Sequence, residues 1–113
     1  MARRVAPVLA DMLEAISGIE AAVKDMDFTT FRNHWTVRHA VQRGIEIISE
    51  AARRLPDDLL AEYTDLPWKE IKGVGNILRH EYHRVSDQII WTTVQDELPR
   101  LKTAVQQMLD KAE

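Results

Sequence analysis

The stretch VAPVLADMLEAISGIEAAVKDM, residues 5–26, sets the pattern for the whole chain. Its apolar residues recur in steps of three and four from Val5 to Met26, which is the spacing of one stripe along an α-helix. Pro7 fits such a helix best in the first turn, where its backbone nitrogen needs no intrahelical partner. The pattern therefore predicts a first helix from about Ala6 to Lys24.

A second, longer helix is predicted to follow. Asp27 is a suitable N-cap, and an apolar stripe runs through Trp35 to Leu55. Pro56 ends this helix, because the residue before a proline avoids α geometry. Gly44 lies inside the stripe, where the missing side chain would let another helix approach closely.

Shorter helical segments complete the chain. Residues 57–63 fit one or two helical turns, and Pro67 suits the first turn of the next helix. The last stripe follows an N-cap at Ser86 or Asp87, and Pro99 inside it predicts a kink or a restart. No period-two alternation persists anywhere. We therefore predict an all-α fold, a four- to five-helix up-and-down bundle, with apolar surface left over for a homodimer.

Length and composition narrow the class of protein. The 113 residues predict a single domain over 1–113. Apolar residues make up 45% and charged residues 29%, which is typical of soluble globular proteins. The net charge of -3 does not indicate a strongly basic nucleic-acid binder. The absence of cysteine excludes disulfides and cysteine-based zinc sites. We expect a cytoplasmic protein, because the lack of cysteine fits the cytosol and the N-terminal residues do not resemble a signal peptide. No apolar run approaches the length of a membrane span.

Candidate chemistry concentrates in residues 66–82. Asn76 and His80 are four residues apart and share a helical face, with Lys72 one turn earlier. A histidine there can act as general acid or base, and the three side chains could converge on an anionic substrate. The alternative is that His80 only stabilises the helix end through the dipole. His80 and His83 form at most half of a metal site, so we predict no metal and no cofactor.

The three tryptophans offer a different route to nucleic acid, through base stacking. Trp35, Trp68 and Trp91 all fall on apolar stripes. Stacking platforms normally accompany a basic groove, so the pattern favours a place in the core for all three.

Several segments taken together, in chain order, resemble the HepT-like family of the HEPN superfamily. The signature region consists of LPWKEI (66–71), NIL (76–78) and HEY (80–82). The resemblance continues in DMLEAI (11–16), IEIISEAA (45–52), IWTTV (90–94) and DELPRL (96–101). It therefore spans nearly the whole chain.

This resemblance implies a fold, an activity and partners. Members of the family are homodimeric HEPN bundles, and they are the toxins of type VII toxin–antitoxin pairs encoded beside a minimal nucleotidyltransferase antitoxin. Their motif is an arginine, a polar residue, three variable residues, a histidine, one residue and a tyrosine. The arginine and histidine are assigned to metal-independent RNA cleavage in a cleft between the two copies. The tyrosine accepts AMP from the nucleotidyltransferase.

Carried onto this sequence, the motif is incomplete. Asn76 is the polar residue, His80 the histidine and Tyr82 the AMP acceptor, but Gly75 stands where the family has its arginine. A glycine can neither bind the scissile phosphate nor stabilise the negative charge that develops on it. The resemblance thus implies an endoribonuclease of weakened activity, with RNA as its substrate.

Two nearby cations could replace the missing arginine. Arg79 adjoins His80 and lies four residues after Gly75, and Lys72 offers a point charge without the arginine fork. If neither does so, the alternative is a non-catalytic dimeric module that engages the nucleotidyltransferase partner. A helical adaptor with no site at all is the third possibility.

Overall fold

The computed structural model describes residues 2–81, 83 and 85–112, with the backbone alone for residues 2–4. Within these ranges the regular elements are all helical. They are α1 (Ala2–Val23), α2 (Phe28–Arg32), α3 (Trp35–Arg53), α4 (Asp57–Leu60), α5 (Trp68–Glu81), α6 (Asp87–Thr92), a π-helical turn (Thr93–Glu97) and α7 (Leu98–Ala112). Helix α3 is central because it packs against both α1 and α5, while α7 covers α1. The predicted all-α bundle is confirmed.

Helix α1 begins earlier than its proline suggested. It starts at Ala2 rather than Ala6, so Pro7 lies inside it. Pro7 lies beyond the first turn, where it removes one backbone hydrogen bond and its ring crowds the carbonyl four residues earlier; α1 nevertheless continues through it to Val23. The helix ends at Val23, and Asp25 follows with φ 63°, a left-handed conformation that aspartate tolerates better than most residues.

The prediction of one long second helix is wrong, because the chain breaks at Asn33 and His34. The break separates α2 from α3, and the His34 ring caps the new helix. Its Nδ1 accepts a hydrogen bond from the backbone N–H of Val37 at 3.2 Å. Asp27 caps α2 as predicted, accepting from the backbone N–H of Thr30 at 2.8 Å.

This break also overturns the prediction that Trp35 belongs to the core. Trp35 is the first residue of α3 and is 65% exposed. Its indole stacks on the His39 ring, with 4.0 Å between ring centroids. The other two tryptophans are half-buried against the core. The ring centroid of Trp91 lies 5.1 Å from that of Phe31, which is fully buried.

The core lies around α1, which packs against α3 and against α7. The side chains with no more than 1% exposure from α1 and α7 are Leu9, Met12, Ile16, Val105 and Met108. Burying side chains of this size contributes about 1.5–3 kcal/mol each, which stabilises the bundle. Gly44 allows α1 to approach α3, because a Cβ there would lie 2.7 Å from Cγ1 of Ile19.

The segment before Pro99 departs from regular α geometry, where a kink or restart was predicted. Pro99 has no N–H to donate, and its ring crowds the carbonyl four residues earlier. The π-helical turn Thr93–Glu97 replaces the α-helical ladder just upstream of that point. The start of α6 also follows the prediction, with Ser86 as its N-cap.

Candidate functional site

Helix α5 carries the predicted site and lies against α3. The two helices run antiparallel, because Lys72 contacts Arg53 and Arg79 contacts Glu50 farther along. Gly75 and Leu78 are buried on the inner side of α5. Its opposite side faces solvent, and this exposed side carries the candidate chemical groups.

Gly75 lies in the contact between α3 and α5. The Ser49 hydroxyl accepts a hydrogen bond from the backbone N–H of Gly75 at 3.0 Å and donates one to the Lys72 carbonyl at 2.9 Å. A Cβ at position 75 would lie 2.7 Å from Oγ of Ser49 and 2.8 Å from its Cβ. Such distances are closer than van der Waals contact. Any side chain at position 75 would therefore force the two helices or Ser49 to move.

Asn76 and His80 are both exposed and one helical turn apart. Their side chains are therefore accessible to a ligand on the outer side of α5. Ile77, also exposed, lies beside them. His80 and Arg79 are in the last turn of α5, where positive charge is favoured by the helix dipole. The helix-end interpretation of His80 thus remains compatible with its position, alongside a chemical role.

Lys72 and Arg79 leave α5 in different directions. The Lys72 ammonium lies 3.4 Å from Oδ1 of Asp57 on α4. That contact directs its charge toward α4, although Lys72 is one turn before Asn76. The Arg79 guanidinium lies 3.5 Å from Oε2 of Glu50 on α3. Arg79 is therefore the cation of the two that borders α3.

Tyr82, the predicted AMP acceptor, lies outside the described residues. The chain contains two tyrosines, and the other, Tyr63, is buried. No group of three or more His, Cys, Asp or Glu side chains comes together in a metal-binding arrangement within residues 2–81, 83 and 85–112.

Three residues of α3 border the site but were not predicted as site residues from the sequence: Ser49, Glu50 and Arg53. Arg53 donates from Nε to the Lys72 carbonyl at 2.9 Å, and its Nη1 lies 3.8 Å from Oε2 of Glu50. These residues precede their contact partners on α5 by 19 to 29 positions. Their partners depend on how α3 and α5 align, which helical periodicity does not specify.

An apolar cavity of about 180 Å³ lies between α3, α5 and α7. Its wall includes Ile48, Ile71, Val74 and Leu101. Ile71 and Val74 lie on the side of α5 that faces the core. Asn76 and His80 are on the exposed side, so the cavity and the candidate site are separate features.

Comparison with known proteins identifies the family. The family model described as "Ribonuclease HepT-like" matches residues 12–108. The chain belongs to the HepT-like family. The signature segments that suggested this family therefore led to the right one. No solved structure matches this chain.

Individual relatives of the HepT-like family are similar over most of their length. The protein named Putative RNase MJ1380 of Methanocaldococcus jannaschii is 36% identical over 104 residues, which cover 92% of this chain and 95% of the relative. Putative RNase TTE0752 of Caldanaerobacter subterraneus subsp. tengcongensis is 35% identical, with coverages of 93% and 94%. Probable ribonuclease HepT of Thermococcus cleftensis is 34% identical, with coverages of 83% and 86%. Among the described helices of this HepT-like chain, none is long and apolar enough to cross a membrane.

Proposed function

We propose that this protein is the toxin of a type VII HEPN/minimal nucleotidyltransferase toxin–antitoxin pair and acts as a metal-independent endoribonuclease in the cytoplasm. The observation that carries the proposal is the exposure of Asn76 and His80 one turn apart on α5, in a chain of a ribonuclease family. Arg79 adds a cation at the same end of the helix.

The proposed chemistry follows from these side chains. His80 exchanges protons with the reacting oxygens, Asn76 orients the RNA backbone, and Arg79 contacts a phosphate. In a homodimer, one His80 takes the proton from the RNA 2′-hydroxyl while that oxygen attacks phosphorus. The partner's His80, protonated, gives its proton to the departing 5′-oxygen. The products are a cyclic 2′,3′-phosphate and a 5′-hydroxyl.

A dimer through the outer faces of α3 and α5 would bring the two sites together. Each helix exposes one isoleucine, Ile47 on α3 and Ile77 on α5. Covering these apolar side chains favours association. The same surface includes the exposed Asn76 and His80, so association there would form a cleft with both histidines.

The absence of an arginine at position 75 supports weak activity. Gly75 supplies only backbone groups, and Ser49 already occupies the space beside it. A test compares RNA cleavage by the wild type, His80→Gln and His83→Gln. We expect His80→Gln to reduce cleavage about 100-fold or more, the usual contribution of general acid–base catalysis, and His83→Gln to leave most of it. Equal losses in the two variants would contradict the role of His80.

Gly75 also favours a second function, a non-catalytic dimeric module that engages the nucleotidyltransferase. The two proposals differ in whether wild-type protein cleaves RNA, and they share the partner. Incubation with the nucleotidyltransferase and ATP, followed by mass spectrometry, tests that shared part. We expect an AMP adduct that Tyr82→Phe abolishes, because Tyr63 is buried. An adduct that persists in Tyr82→Phe would rule out Tyr82 as the acceptor.

A further inference from the structure

Two arginines from different helices meet at one carboxylate beside the candidate site. Arg53 of α3 and Arg79 of α5 lie 3.8 and 3.5 Å from the same oxygen, Oε2 of Glu50. We call these three residues the arginine cluster. Two guanidinium groups share one carboxylate, so the cluster keeps a net positive charge. Its side chains are 33% (Arg53), 47% (Arg79) and 48% (Glu50) exposed.

Arg53 is held in place before any ligand arrives. Its Nε donates to the Lys72 carbonyl at 2.9 Å, which fixes the side chain against α5. A guanidinium has five N–H donors, and the contacts of Arg53 with Lys72 and Glu50 engage only part of that set. A prearranged donor loses less conformational entropy on binding than a mobile one. The fixed position therefore favours contact with an anion from solvent.

The cluster also lies beside the part of α5 where the family motif has its arginine. The Lys72 carbonyl that Arg53 reaches is one turn before Asn76, and Arg79 adjoins His80. Arg53 and Arg79 thus border the stretch of α5 that includes Gly75. An open cleft of about 280 Å³ adjoins Arg79 and Glu50 on the α3 side. Lys72 is a poorer candidate because its ammonium lies against Asp57.

We propose that Arg53, with Arg79, binds a phosphate of the RNA, so that α3 supplies the cation that position 75 lacks. Glu50 is a positioning residue that holds the two guanidinium groups side by side. The proposal rests on the proposed ribonuclease function for the identity of its ligand. A bidentate guanidinium–phosphate contact suits this geometry, since Arg79 and Arg53 approach from two helices.

Binding of uncleavable RNA tests the proposal without depending on catalysis. The probe is a fluorescent single strand of mixed sequence carrying 2′-O-methyl groups, titrated with full-length protein at several salt concentrations. We expect Arg53→Gln to weaken binding about tenfold at low salt, as for loss of a charge-assisted hydrogen bond. The slope of log affinity against log salt should fall by about 0.7, the value for one lost phosphate contact on a single strand.

Arg54→Gln is the matched control, because Arg54 is exposed and adjacent and the charge change is identical. We expect it to change affinity less than threefold and to leave the salt slope near the wild-type value. Arg53→Lys should keep much of the salt slope, because it retains the charge. It should bind the RNA more weakly than the wild type, because lysine lacks the planar fork of guanidinium donors. Urea unfolding of each variant confirms that the protein is folded in the assay.

Three results would overturn the proposal: no binding by the wild type, equal effects of Arg53→Gln and Arg54→Gln, or an unchanged slope in Arg53→Gln. Its failure is distinguishable from failure of the ribonuclease function. If His80 is required for cleavage while Arg53→Gln binds and cleaves normally, only the phosphate role of Arg53 is wrong. If the slope falls as expected but the wild type cleaves no RNA, the anion site stands and the catalytic function fails.

Discussion

Replacement of Gly75 by alanine should destabilise the protein, although alanine is the better helix former. The gain in helix propensity is about 1 kcal/mol. Against it stands the new Cβ, 2.7 Å from Oγ of Ser49. Overpacking of this kind costs about 1–3 kcal/mol. Turning the Ser49 hydroxyl away would break its bonds to Gly75 and Lys72 and leave this buried hydroxyl unpaired, at a cost of about 1–3 kcal/mol. Each of these two responses costs about 2 kcal/mol at the middle of its range, so the expected net loss after the propensity gain is about 1 kcal/mol.

Gly73→Ala is the matched control in the same helix. A Cβ at Gly73 meets nothing within 4 Å, so only the propensity gain of up to about 1 kcal/mol applies. The two variants should therefore differ by about 2 kcal/mol in unfolding free energy, with opposite signs relative to the wild type. Urea unfolding followed by circular dichroism should separate their midpoints by about 1 M or more. If Gly75→Ala is as stable as Gly73→Ala, α5 does not approach Ser49 of α3 closely enough at position 75 to exclude a Cβ.

A double-mutant cycle identifies the partner in the contact. Ser49→Gly removes both atoms of Ser49 that a Cβ at position 75 would strike. In the wild-type background it should destabilise, because it loses a hydrogen-bonding hydroxyl and adds a helix glycine. In the Gly75→Ala background the loss should be smaller by about 1 kcal/mol, since the clash is relieved. A coupling energy near zero would mean that Ser49 does not limit the side chain at position 75.

Three further predictions concern caps and exposure. Ser86→Ala should lower the unfolding free energy by about 1 kcal/mol by removing the N-cap of α6, whereas Ser17→Ala in the exposed interior of α1 should not. The pKa of Asp27 lies below its usual 3.8, first because its carboxylate accepts a hydrogen bond from the backbone N–H of Thr30. The ionised cap therefore stabilises the folded protein above pH 3.8, and this stabilisation is lost as the pH falls through the lower pKa of the folded state. Thermal unfolding of wild type and Asp27→Ala should therefore converge in acid, and a constant difference would contradict the ionised cap. Trp35→Phe should remove most of the acrylamide-accessible tryptophan fluorescence of the monomer, because Trp91 and Trp68 are half-buried. If quenching is the same in the variant and the wild type, Trp35 is not accessible to solvent.

Periodicity predicted the bundle because each long helix buries one continuous stripe. Periodicity did not predict the break at His34, and the reason is physical. Apolar residues continue at helical spacing through Phe31 and Trp35, so the stripe crosses the break without a gap. The cap is a ring nitrogen of histidine, not one of the side-chain oxygens that usually mark a helix start. A stripe alone therefore could not show that Trp35 begins a new helix in solvent.

The candidate site was predictable only in part for a related reason. Spacing within α5 predicted that Asn76 and His80 share a face, since four residues make about one turn. It could not predict which side of α5 meets α3, and hence that Gly75 is buried by Ser49. It also could not bring Arg53 to the Lys72 carbonyl, because that contact joins two helices.

The space at position 75 and the position of Arg53 both depend on how closely α3 packs against α5. Residues 75 and 80 are five positions apart, about 140° around the helix, so a side chain at 75 would reach the face of His80 only by running along the groove between α3 and α5. In this protein Ser49, Glu50 and Arg53 already border that groove. The close contact that excludes a side chain at Gly75 is the same contact that presses Arg53 against α5. An arginine added at position 75 would therefore displace Arg53 rather than add a second cation. We expect Gly75→Arg to lose stability without gaining RNA cleavage, and a folded, more active Gly75→Arg enzyme would show that the groove can be rearranged.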